Sequence, residues 1–412
     1  MSTNKLSASA LMELENNFGA HNYHPIPVVL NKGKGVHVWD VNGKRYYDFL
    51  SAYSAVNQGH CHPEIVNALL EQAQKLTLTS RAFYNSQLGK YEEYATRYFG
   101  YDKLLPMNTG AEAVESAIKL CRKWAYEKKG LADNTAQIVV CENNFHGRTT
   151  TIVSFSIDPE ANNHYGPFTP GFIVIPYNDV NSLEKILAEN NSVAGFLVEP
   201  IQGEAGVYVP DEGYLKACYA LCKKHNVLFI ADEVQTGIAR TGKLLACDYE
   251  AVRPDILILG KALSGGVCPV SAILADQEIM EVIRPGQHGS TFGGNPIAAA
   301  VAIAALKVIE NEKLAENAYA LGILFREEIQ KFCLQSKVAA YVRGKGLLNA
   351  LVINNKAQKD LAWDICIKLS ENGLLAKPTH TNIIRFAPPL VITENQLREC
   401  IEIIRQTIDA FE

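Results

Sequence analysis

Two charged residues follow apolar segments at positions where their side chains could take part in chemistry. Asp232 follows the apolar segment Val227–Ala231, and Lys261 follows Ile256–Leu259 after a single glycine. In open α/β sheets, ligands bind outside the carboxyl ends of the strands, so both side chains are expected at such a binding edge. A carboxylate buried there needs a positive partner, and a lysine enclosed in a pocket is a candidate nucleophile toward an aldehyde.

A third element is the segment Thr109-Gly110-Ala111 at the start of an expected helix. Free backbone N–H groups at a helix N-terminus bind phosphate. A lysine for an aldehyde, an aspartate for a ring nitrogen and a helix N-terminus for a phosphate together predict pyridoxal 5′-phosphate as the cofactor. Each residue also has a purely structural interpretation, with Asp232 and Thr109 as helix caps and Lys261 as a surface charge. Their occurrence in one α/β region favours the cofactor.

These residues come together only if their strands lie in one sheet with helices between them. The sequence predicts such a sheet. From about residue 60 to 290, short apolar segments rich in Val, Ile and Leu alternate with amphipathic helices such as Glu112–Lys128 and Tyr214–Lys224. Apolar runs without alternation are typical of parallel strands buried on both faces. The predicted fold class is therefore α/β, with a large, mostly parallel sheet. The predicted strands are Gln137–Cys141, Phe172–Ile175, Gly195–Val198, Val227–Ala231 and Ile256–Leu259.

The remaining segments suggest a second, smaller α+β domain made by the two ends of the chain. Residues 1–50 are predicted to form an N-terminal arm with a hairpin around Asn42-Gly43. Residues 51–295 form the large domain, 296–337 a helical connection with a break near Asn311, and 338–412 the C-terminal part of the small domain. Its predicted elements alternate strand and helix: Leu347–Val352, Leu361–Glu371, Ile383–Phe386 and Glu394–Ala410.

Composition excludes several classes of protein. The chain has 412 residues and a net charge of −5, so a broad nucleic-acid surface is not expected. Its longest apolar run, Ile297–Leu306, is too short to span a membrane, and the N-terminal stretch lacks the features of a secretory signal or a transit peptide. The ten cysteines are scattered, which predicts reduced thiols in the cytoplasm. His60 and His62 have no second ligand cluster in the sequence, so no metal is predicted.

Beyond these features, the chain resembles the class III aminotransferases of PLP fold type I, and within them most closely the ornithine aminotransferases. The resemblance extends over nearly the whole chain. The matching motifs are GAHNYHPIPV (Gly19–Val28), DFLSAYSAVNQGHCHP (Asp48–Pro63), SRAFYN (Ser80–Asn85), MNTGAEA (Met107–Ala113), EPIQGEAGV (Glu199–Val207), ADEVQTGIARTGK (Ala231–Lys243), GKALSGG (Gly260–Gly266), HGSTFGGNP (His288–Pro296), VRGKGLLNA (Val342–Ala350) and RFAPPL (Arg385–Leu390).

The resemblance implies a set of cofactor contacts. Lys261 would bind the cofactor aldehyde and move the reacting proton, and Asp232 would pair with the pyridinium nitrogen. Gln235 would reach the ring hydroxyl, and Phe145 would stack on the ring unless it only packs in the core. The phosphate would be held by Thr109, Gly110 and Ala111, and by Ser290 and Thr291 of a second subunit, which implies a homodimer.

The resemblance also implies a substrate site. Arg148 would bind the α-carboxylate of L-ornithine, Tyr23 would contact its α-amino group, and Tyr53 would shape the pocket so that the δ-amine faces the cofactor. Arg385 would bind the α-carboxylate of 2-oxoglutarate. Glu204 would cover Arg385 while ornithine is bound, and the flanking glycines would let its loop move.

The implied reaction transfers the δ-amino group of L-ornithine to 2-oxoglutarate. Its products are L-glutamate and glutamate 5-semialdehyde, which cyclises to pyrroline-5-carboxylate. Two alternatives stay open: a class III enzyme acting on N-acetylornithine, 4-aminobutyrate or lysine, or a PLP-binding protein without turnover. Two positions depart from the family pattern, His146 where animal members have Trp and Cys268 where a bulkier residue is typical, and neither is expected to touch a residue with a named role.

Overall fold

The computed structural model describes residues 6–354 and 360–412. The first five residues of the predicted N-terminal arm and residues 355–359 of the predicted C-terminal part lie outside this description. The strands are β1 Leu30–Lys34, β2 His37–Asp40, β3 Arg45–Asp48, β4 Lys103–Met107, β5 Gln137–Cys141, β6 Phe172–Ile175, β7 Val193–Val198, β8 Leu228–Asp232, β9 Ile256–Leu259, β10 Ser271–Ala275, β11 Ala339–Lys345, β12 Leu348–Ile353, β13 Leu374–Leu375, β14 Lys377–Thr379 and β15 Ile383–Phe386.

Helices separate most of these strands. They are α1 Ala8–Phe18, the single turn α2 Ser51–Ser54, α3 Pro63–Ala73, α4 Leu88–Phe99, α5 Gly110–Trp124, α6 Thr150–Val153, α7 Pro159–Asn162, α8 Val180–Glu189, α9 Tyr214–Lys224, α10 Gln277–Met280, α11 Pro296–Asn311, α12 Leu314–Cys333, α13 Leu361–Glu371 and α14 Glu394–Asp409. A π-helical turn, Ala125–Lys129, extends α5, and short 3₁₀ turns span Ala246–Glu250 and Lys261–Ser264.

The largest sheet has seven strands in the order β4-β10-β9-β8-β7-β5-β6. Strand β10 is antiparallel to both of its neighbours, and the other six strands run in one direction. In β8, Leu228 and Ile230 pack in the hydrophobic cluster with α5, while Phe229 and Ala231 pack in the cluster with α8 and α9. Both faces of the sheet are therefore covered, which confirms the predicted α/β class and explains the continuous apolar runs.

One of the two smaller sheets combines the ends of the chain, and the other is formed by C-terminal strands alone. One has the order β1-β2-β3-β13, and β13 joins it by pairing in parallel with β3. The other is antiparallel, with the order β11-β12-β15-β14. Strands from the two chain ends thus lie outside the large sheet, and the division into a large and a small domain, with boundaries at residues 50, 295 and 337, stays a prediction.

A buried arginine, Arg240, connects the segment after β8 to the segments next to the small antiparallel sheet. The Arg240 guanidinium donates hydrogen bonds to Asn57 Oδ1, at 2.6 and 3.1 Å, and to the carbonyl oxygens of Leu347 and Pro388, at 3.0 and 2.7 Å. Burial lowers the pKa of Arg240 to about 9. The hydrogen bonds satisfy the donors of a charge that would be costly to leave unpaired in the interior.

Across residues 6–354 and 360–412, no helix has both the length and the apolar character needed to cross a bilayer.

Candidate active site

A cavity of about 190 Å³ lies at the carboxyl ends of β7, β8 and β9. Seven residues that the sequence singled out line it, namely Gly110, Ala111, Phe145, Glu204, Asp232, Gln235 and Lys261. Its other lining residues are His146, Gly147, Glu199, Val234 and Thr236. The strand-end argument therefore predicts the position of these side chains correctly, because they converge on one edge of the sheet.

The start of α5 forms one end of this cavity. Thr109 is the N-cap: its Oγ1 accepts a hydrogen bond from the Glu112 N–H at 3.3 Å, and its own N–H donates to Glu112 Oε2 at 2.8 Å. The first N–H groups of a helix have no acceptors within the helix. Among the described residues, the N–H groups of Gly110 and Ala111 have no hydrogen-bond acceptor, so they remain available to an anion.

The carboxylate at the end of β8 has a partner that sequence reasoning did not assign. His146 Nδ1 lies 2.6 Å from Asp232 Oδ2, and both residues are buried. Burial would lower the pKa of His146, but the hydrogen bond and the charge of Asp232 outweigh burial and raise it. The expectation that His146 touches no residue with a named role was wrong, since it contacts the carboxylate on which the ring-nitrogen contact depends.

Glu199, which directly follows β7, supports two loops of the site. Its Oε1 accepts a hydrogen bond from the Phe145 N–H at 2.8 Å, and its Oε2 accepts one from the Gly203 N–H at 3.4 Å. Burial raises the pKa of Glu199 to about 7; the nearby charge of His146 opposes this rise and that of Asp232 adds to it. Glu199 thereby fixes the backbone beside the predicted stacking residue and beside the Glu204 loop.

Lys261 begins a 3₁₀ turn with a backbone φ of +45°. This left-handed conformation is unfavourable for a residue with a side chain, and such strain is commonly found at functional sites. Burial lowers the pKa of the Lys261 ammonium, although the carboxylates of Glu204 and Asp232 act in the opposite direction. A lowered pKa increases the share of neutral amine, which is the form that attacks an aldehyde.

Gln235 and Phe145 lie along the sides of the cavity. Gln235 Oε1 is buried and has no hydrogen-bond partner among the described residues. Arg148 lies at the rim, with its Cζ 5.5 Å from the centroid of the Phe145 ring.

The cavity thus offers four kinds of group suited to one molecule: free backbone N–H groups, an amine, a buried carboxylate and an unpaired acceptor. These match the phosphate, aldehyde, ring nitrogen and ring hydroxyl of pyridoxal phosphate, so the residues present fit that cofactor.

Glu204 and Arg385 form a partly buried ion pair next to the cavity. Arg385 Nη1 lies 2.7 Å from Glu204 Oε2 and Nη2 lies 3.1 Å from Oε1, which is the two-bond geometry of a strong arginine–carboxylate pair. Arg385 is only 5% exposed in its side chain. Burial would raise the pKa of Glu204, but the charge and hydrogen bonds of Arg385 hold it below its ordinary value. The Tyr53 ring covers Arg385 at 5.0 Å.

The loop that carries Glu204 is fixed at several points. Thr379 Oγ1 donates a hydrogen bond to the Glu204 carbonyl oxygen at 2.8 Å, and Arg343 Nε donates one to the Gly206 carbonyl oxygen at 2.9 Å. A Cβ on Gly203 would lie 1.7 Å from Gln235 Oε1. These hydrogen bonds hold the loop backbone, and Gln235 would have to shift to admit a side chain at position 203. The expectation that the flanking glycines let the loop move stays a prediction.

Tyr23 lies at the outer edge of the site. It is 69% exposed, it contributes to the raised pKa of Tyr53, and the Lys377 ammonium lies 6.0 Å from its ring centroid. Burial raises the pKa of Tyr53, so its hydroxyl stays protonated and able to donate a hydrogen bond.

Ser290 and Thr291 do not line this cavity. Ser290 Oγ accepts a hydrogen bond from Asn108 Nδ2 at 2.9 Å, and Thr291 is exposed. Ser290 instead lines a surface cavity of about 730 Å³, together with residues 81–85, 285, 286, 288 and 289. Within this one chain, the predicted phosphate contacts of Ser290 and Thr291 are therefore not formed.

Three residues near the site were missed by sequence reasoning. A usable signal existed for Glu199, because it follows the apolar run Gly195–Val198 just as Asp232 follows its own strand. His146 and Lys377 offered no comparable signal, since their partners are distant in the sequence and the contacts arise only from the fold.

Comparison with known proteins places this geometry among aminotransferases. The family described as Aminotransferase class-III matches residues 18–408. The mitochondrial ornithine aminotransferase of Drosophila melanogaster is 63% identical over 394 residues, which cover 96% of this chain and 90% of that relative.

Two solved structures are similar over nearly the whole chain. The crystal structure of an acetylornithine aminotransferase from Elizabethkingia anophelis has 63% identity and a TM-score of 0.91, covering 99% of this chain and 100% of that chain. An ornithine aminotransferase structure from Toxoplasma gondii, described with PLP at partial occupancy in its active site, has 48% identity and a TM-score of 0.96, covering 98% of this chain and 94% of that chain.

Proposed function

Because the chain belongs to the class III aminotransferase family, we propose that it catalyses the transfer of the δ-amino group of L-ornithine to 2-oxoglutarate. The products are L-glutamate 5-semialdehyde and L-glutamate. The protein is a PLP-dependent enzyme, and the resemblance seen in its sequence is confirmed.

The observation that carries the choice of substrate is the ion pair between Glu204 and Arg385. A free arginine beside the cavity would attract the α-carboxylate of an amino acid and present its α-amine for reaction. In the pair, the guanidinium is already bound by two hydrogen bonds, so an α-carboxylate has no free partner there. This arrangement favours a donor such as ornithine, whose carboxylate lies far from the reacting δ-amine.

The other residues divide the work of binding and proton transfer. The cofactor, when bound, carries the amino group between the substrates and accepts electron density from the reacting carbon. Lys261 supplies the amine that binds the cofactor aldehyde and then moves the proton at the reacting carbon. Asp232 holds the proton on the ring nitrogen, the N–H groups of Gly110 and Ala111 bind the phosphate, and Phe145 and Gln235 fix the ring.

At the rim, Arg148 binds the substrate carboxylate that lies away from the cofactor. Tyr23 contacts the α-amino group of ornithine, and Tyr53 shapes the passage between the rim and the cavity. Their positions around the entrance support these assignments.

N-acetylornithine is the second candidate donor, because the Elizabethkingia protein with 63% identity is described as an acetylornithine aminotransferase. Both donors present a δ-amine, so the Glu204–Arg385 pair suits either. They differ at the α-nitrogen, which is a charged ammonium in ornithine and a neutral amide in N-acetylornithine.

Steady-state rates with 2-oxoglutarate as acceptor would decide between the donors. We expect kcat/KM to be highest for ornithine, followed by N-acetylornithine and then 4-aminobutyrate. The Lys261→Ala variant is the control, since it should fold and yet lose turnover with every donor. A higher kcat/KM for N-acetylornithine would replace the proposal with the second candidate, and absence of turnover with all three would refute it.

The role of Glu204 is tested by the separate half-reactions. Glu204→Ala frees Arg385, so the half-reaction with ornithine should slow about tenfold and that with glutamate as donor should speed up, as loss of a charged hydrogen-bond partner is worth about 1.5–3 kcal/mol. Glu204→Gln, which keeps the shape, should give a smaller effect. Equal changes for ornithine and glutamate would contradict the assignment.

The proposal includes a homodimer that completes the phosphate site. Ser290 and Thr291 lie outside the cavity of their own chain. Phe83, which lines the same surface cavity as Ser290, is 72% exposed, and Phe292, which directly follows Thr291, is 57% exposed. Exposed apolar residues around a surface cavity are typical of a subunit interface. A second copy on this surface would bring its Ser290 and Thr291 toward the phosphate.

We place the enzyme in the cytoplasm. The ten cysteines are free thiols, which fits a reducing compartment. The Drosophila relative is named a mitochondrial protein, so fractionation of cells that express the tagged chain would test this placement. Recovery in the mitochondrial matrix would contradict it.

A further inference from the structure

Lys377 and Arg385 form a like-charged pair across two neighbouring strands. Strands β14 and β15 are antiparallel, and Lys377 lies directly opposite Arg385. Directly opposite residues point to the same face of a sheet, and like charges in this arrangement repel each other. Glu204 compensates the charge of Arg385, whereas no carboxylate oxygen of the described residues lies within 4.0 Å of the Lys377 ammonium.

The Glu204 backbone is anchored to the same strand that carries Lys377. Thr379 Oγ1 holds the Glu204 carbonyl oxygen at 2.8 Å. Thr379 and Lys377 are two residues apart on β14, so their side chains lie on one face of the strand. The Glu204 side chain is 32% exposed, which leaves its carboxylate room to turn while its backbone stays fixed.

The two half-reactions make opposite demands on this ion pair. When 2-oxoglutarate binds, its α-carboxylate needs Arg385, and the Glu204 carboxylate must leave. A carboxylate that loses its partner in a partly buried site is destabilised unless another positive group receives it. The proposed function therefore requires a second position for Glu204.

We propose that Lys377 receives the Glu204 carboxylate while a dicarboxylate substrate occupies Arg385. Two other cations act on Glu204 through their charges, Lys261 and Arg148. Lys261 has to move the proton at the reacting carbon, and Arg148 is engaged by the outer carboxylate of the substrate. Lys377 has neither of these tasks. The proposal rests on the proposed function and adds to it a residue that determines acceptor binding.

The charges around Lys377 agree with this role. Burial and the charge of Arg385 lower the pKa of Lys377, while Glu204 opposes them. A carboxylate that moves toward Lys377 relieves the repulsion from Arg385. The total charge of the group then stays balanced, with two cations facing two carboxylates.

Stopped-flow measurement of each half-reaction in the holoenzyme tests the proposal. Lys377→Met removes the charge and keeps most of the side-chain length. We expect it to raise the apparent Kd of 2-oxoglutarate about tenfold and to change the ornithine half-reaction less than about twofold, since a tenfold change in Kd needs only about 1.4 kcal/mol. Lys377→Arg, which keeps the charge, is the matched control and should bind 2-oxoglutarate nearly as well as the parent. Lys377→Gln gives a second neutral variant should Lys377→Met fold poorly.

A double substitution separates this role from direct contact with the substrate. In the Glu204→Ala background no carboxylate has to be received, so adding Lys377→Met should leave 2-oxoglutarate binding unchanged. A tenfold loss that persists in this background would mean that Lys377 binds the substrate itself and would overturn the proposal. An unchanged Kd in the Lys377→Met single variant would overturn it as well.

If the proposed function itself were wrong, the parent enzyme would not react with ornithine, whatever the effect of substitutions at Lys377. The spectrum of the bound cofactor provides a check that each variant is folded and loaded.

Discussion

Each carboxylate oxygen of Asp232 has one hydrogen-bond partner. Oδ1 accepts a hydrogen bond from the Val234 N–H at 3.1 Å, and Oδ2 lies 2.6 Å from His146 Nδ1. The carboxylate is therefore held in one orientation by two groups. This contact predicts that His146 acts through Asp232, as a positioning residue.

Replacing His146 should reveal this role. His146→Phe removes the donor and keeps an aromatic ring, so we expect kcat for the ornithine half-reaction to fall about tenfold, because a hydrogen bond to a charged group is worth about 1.5–3 kcal/mol. The pH at which the visible absorbance of the bound cofactor changes should shift too. His146→Asn retains a donor and should recover part of both effects. A variant with altered stability but the parent's kcat and spectral pH dependence would reduce His146 to a packing role.

Glu199 predicts a pH dependence of stability. Its pKa rises from 4.5 to about 7 in the folded chain, so folding favours the protonated carboxyl group. The associated stability is complete below pH 4.5 and is lost as the pH rises to about 7, a total on the order of 3 kcal/mol. Glu199→Gln cannot titrate. The Tm of the cofactor-free parent should therefore fall relative to that of Glu199→Gln between pH 5 and pH 8, whereas a constant difference would contradict the assignment.

Among the elements, α2 has the most unusual backbone. Four consecutive residues, Ser51–Ser54, have φ values of 48°, 46°, 60° and 72°. Left-handed conformations cost roughly 1–2 kcal/mol per residue that has a Cβ. Asp48 Oδ1 helps to hold the turn by accepting hydrogen bonds from the N–H groups of Leu50 and Ser51, at 2.8 and 2.9 Å. The turn places the Tyr53 ring over Arg385.

Glycine scanning within this turn should have opposite effects at neighbouring positions. Ala52→Gly relieves a left-handed residue and should raise the free energy of unfolding by up to about 1 kcal/mol. Ala55, with φ of −86°, is the matched control, and Ala55→Gly should lower the free energy of unfolding by about 0.5–1 kcal/mol. Thermal unfolding of the holoenzymes measures both. Destabilisation of similar size in the two variants would show that the turn is not strained.

The elements also show what sequence patterns can predict. The buried parallel strands, α9, α13 and β15 agree with their predicted bounds within about two residues, since continuous apolar runs and amphipathic helices reflect local burial. Strands β4 and β10 were missed. Strand β4 starts with Lys103 and contains Pro106, which is tolerated because β4 is at the edge of the sheet, a fact that only the assembled sheet reveals.

The site likewise contains residues that sequence patterns can predict and contacts that they cannot. Asp232, Lys261 and the start of α5 were predictable, because strand ends and helix starts determine where such groups lie. The contact of His146 with Asp232 depends on how a loop meets the end of β8, and the position of Lys377 opposite Arg385 depends on the register of β14 and β15. The spacing of residue types in the sequence encodes neither arrangement.

For the whole molecule, the proposed dimer leads to a complementation prediction. A Lys261→Ala chain and a Thr291→Ala chain should each have low activity when pure. In a mixed dimer, one site takes Lys261 from the second chain and Thr291 from the first, so that site is intact. We expect co-expression to restore a substantial part of the parent's activity, and light scattering to show two chains per particle. Activity no greater than the average of the pure variants would contradict shared sites.

The parallel pairing of β3 with β13 has a consequence for synthesis of the chain. Asp48 leaves the ribosome more than 300 residues before Leu375, its partner in the sheet. At a translation rate of about 5–20 residues per second, the edge of β3 stays unpaired for roughly 15–65 s before β13 is synthesised. During that interval a nascent chain exposes an unpaired strand edge, which invites association with other chains. Co-translational chaperones are therefore expected to engage this protein early and release it only when translation is nearly complete.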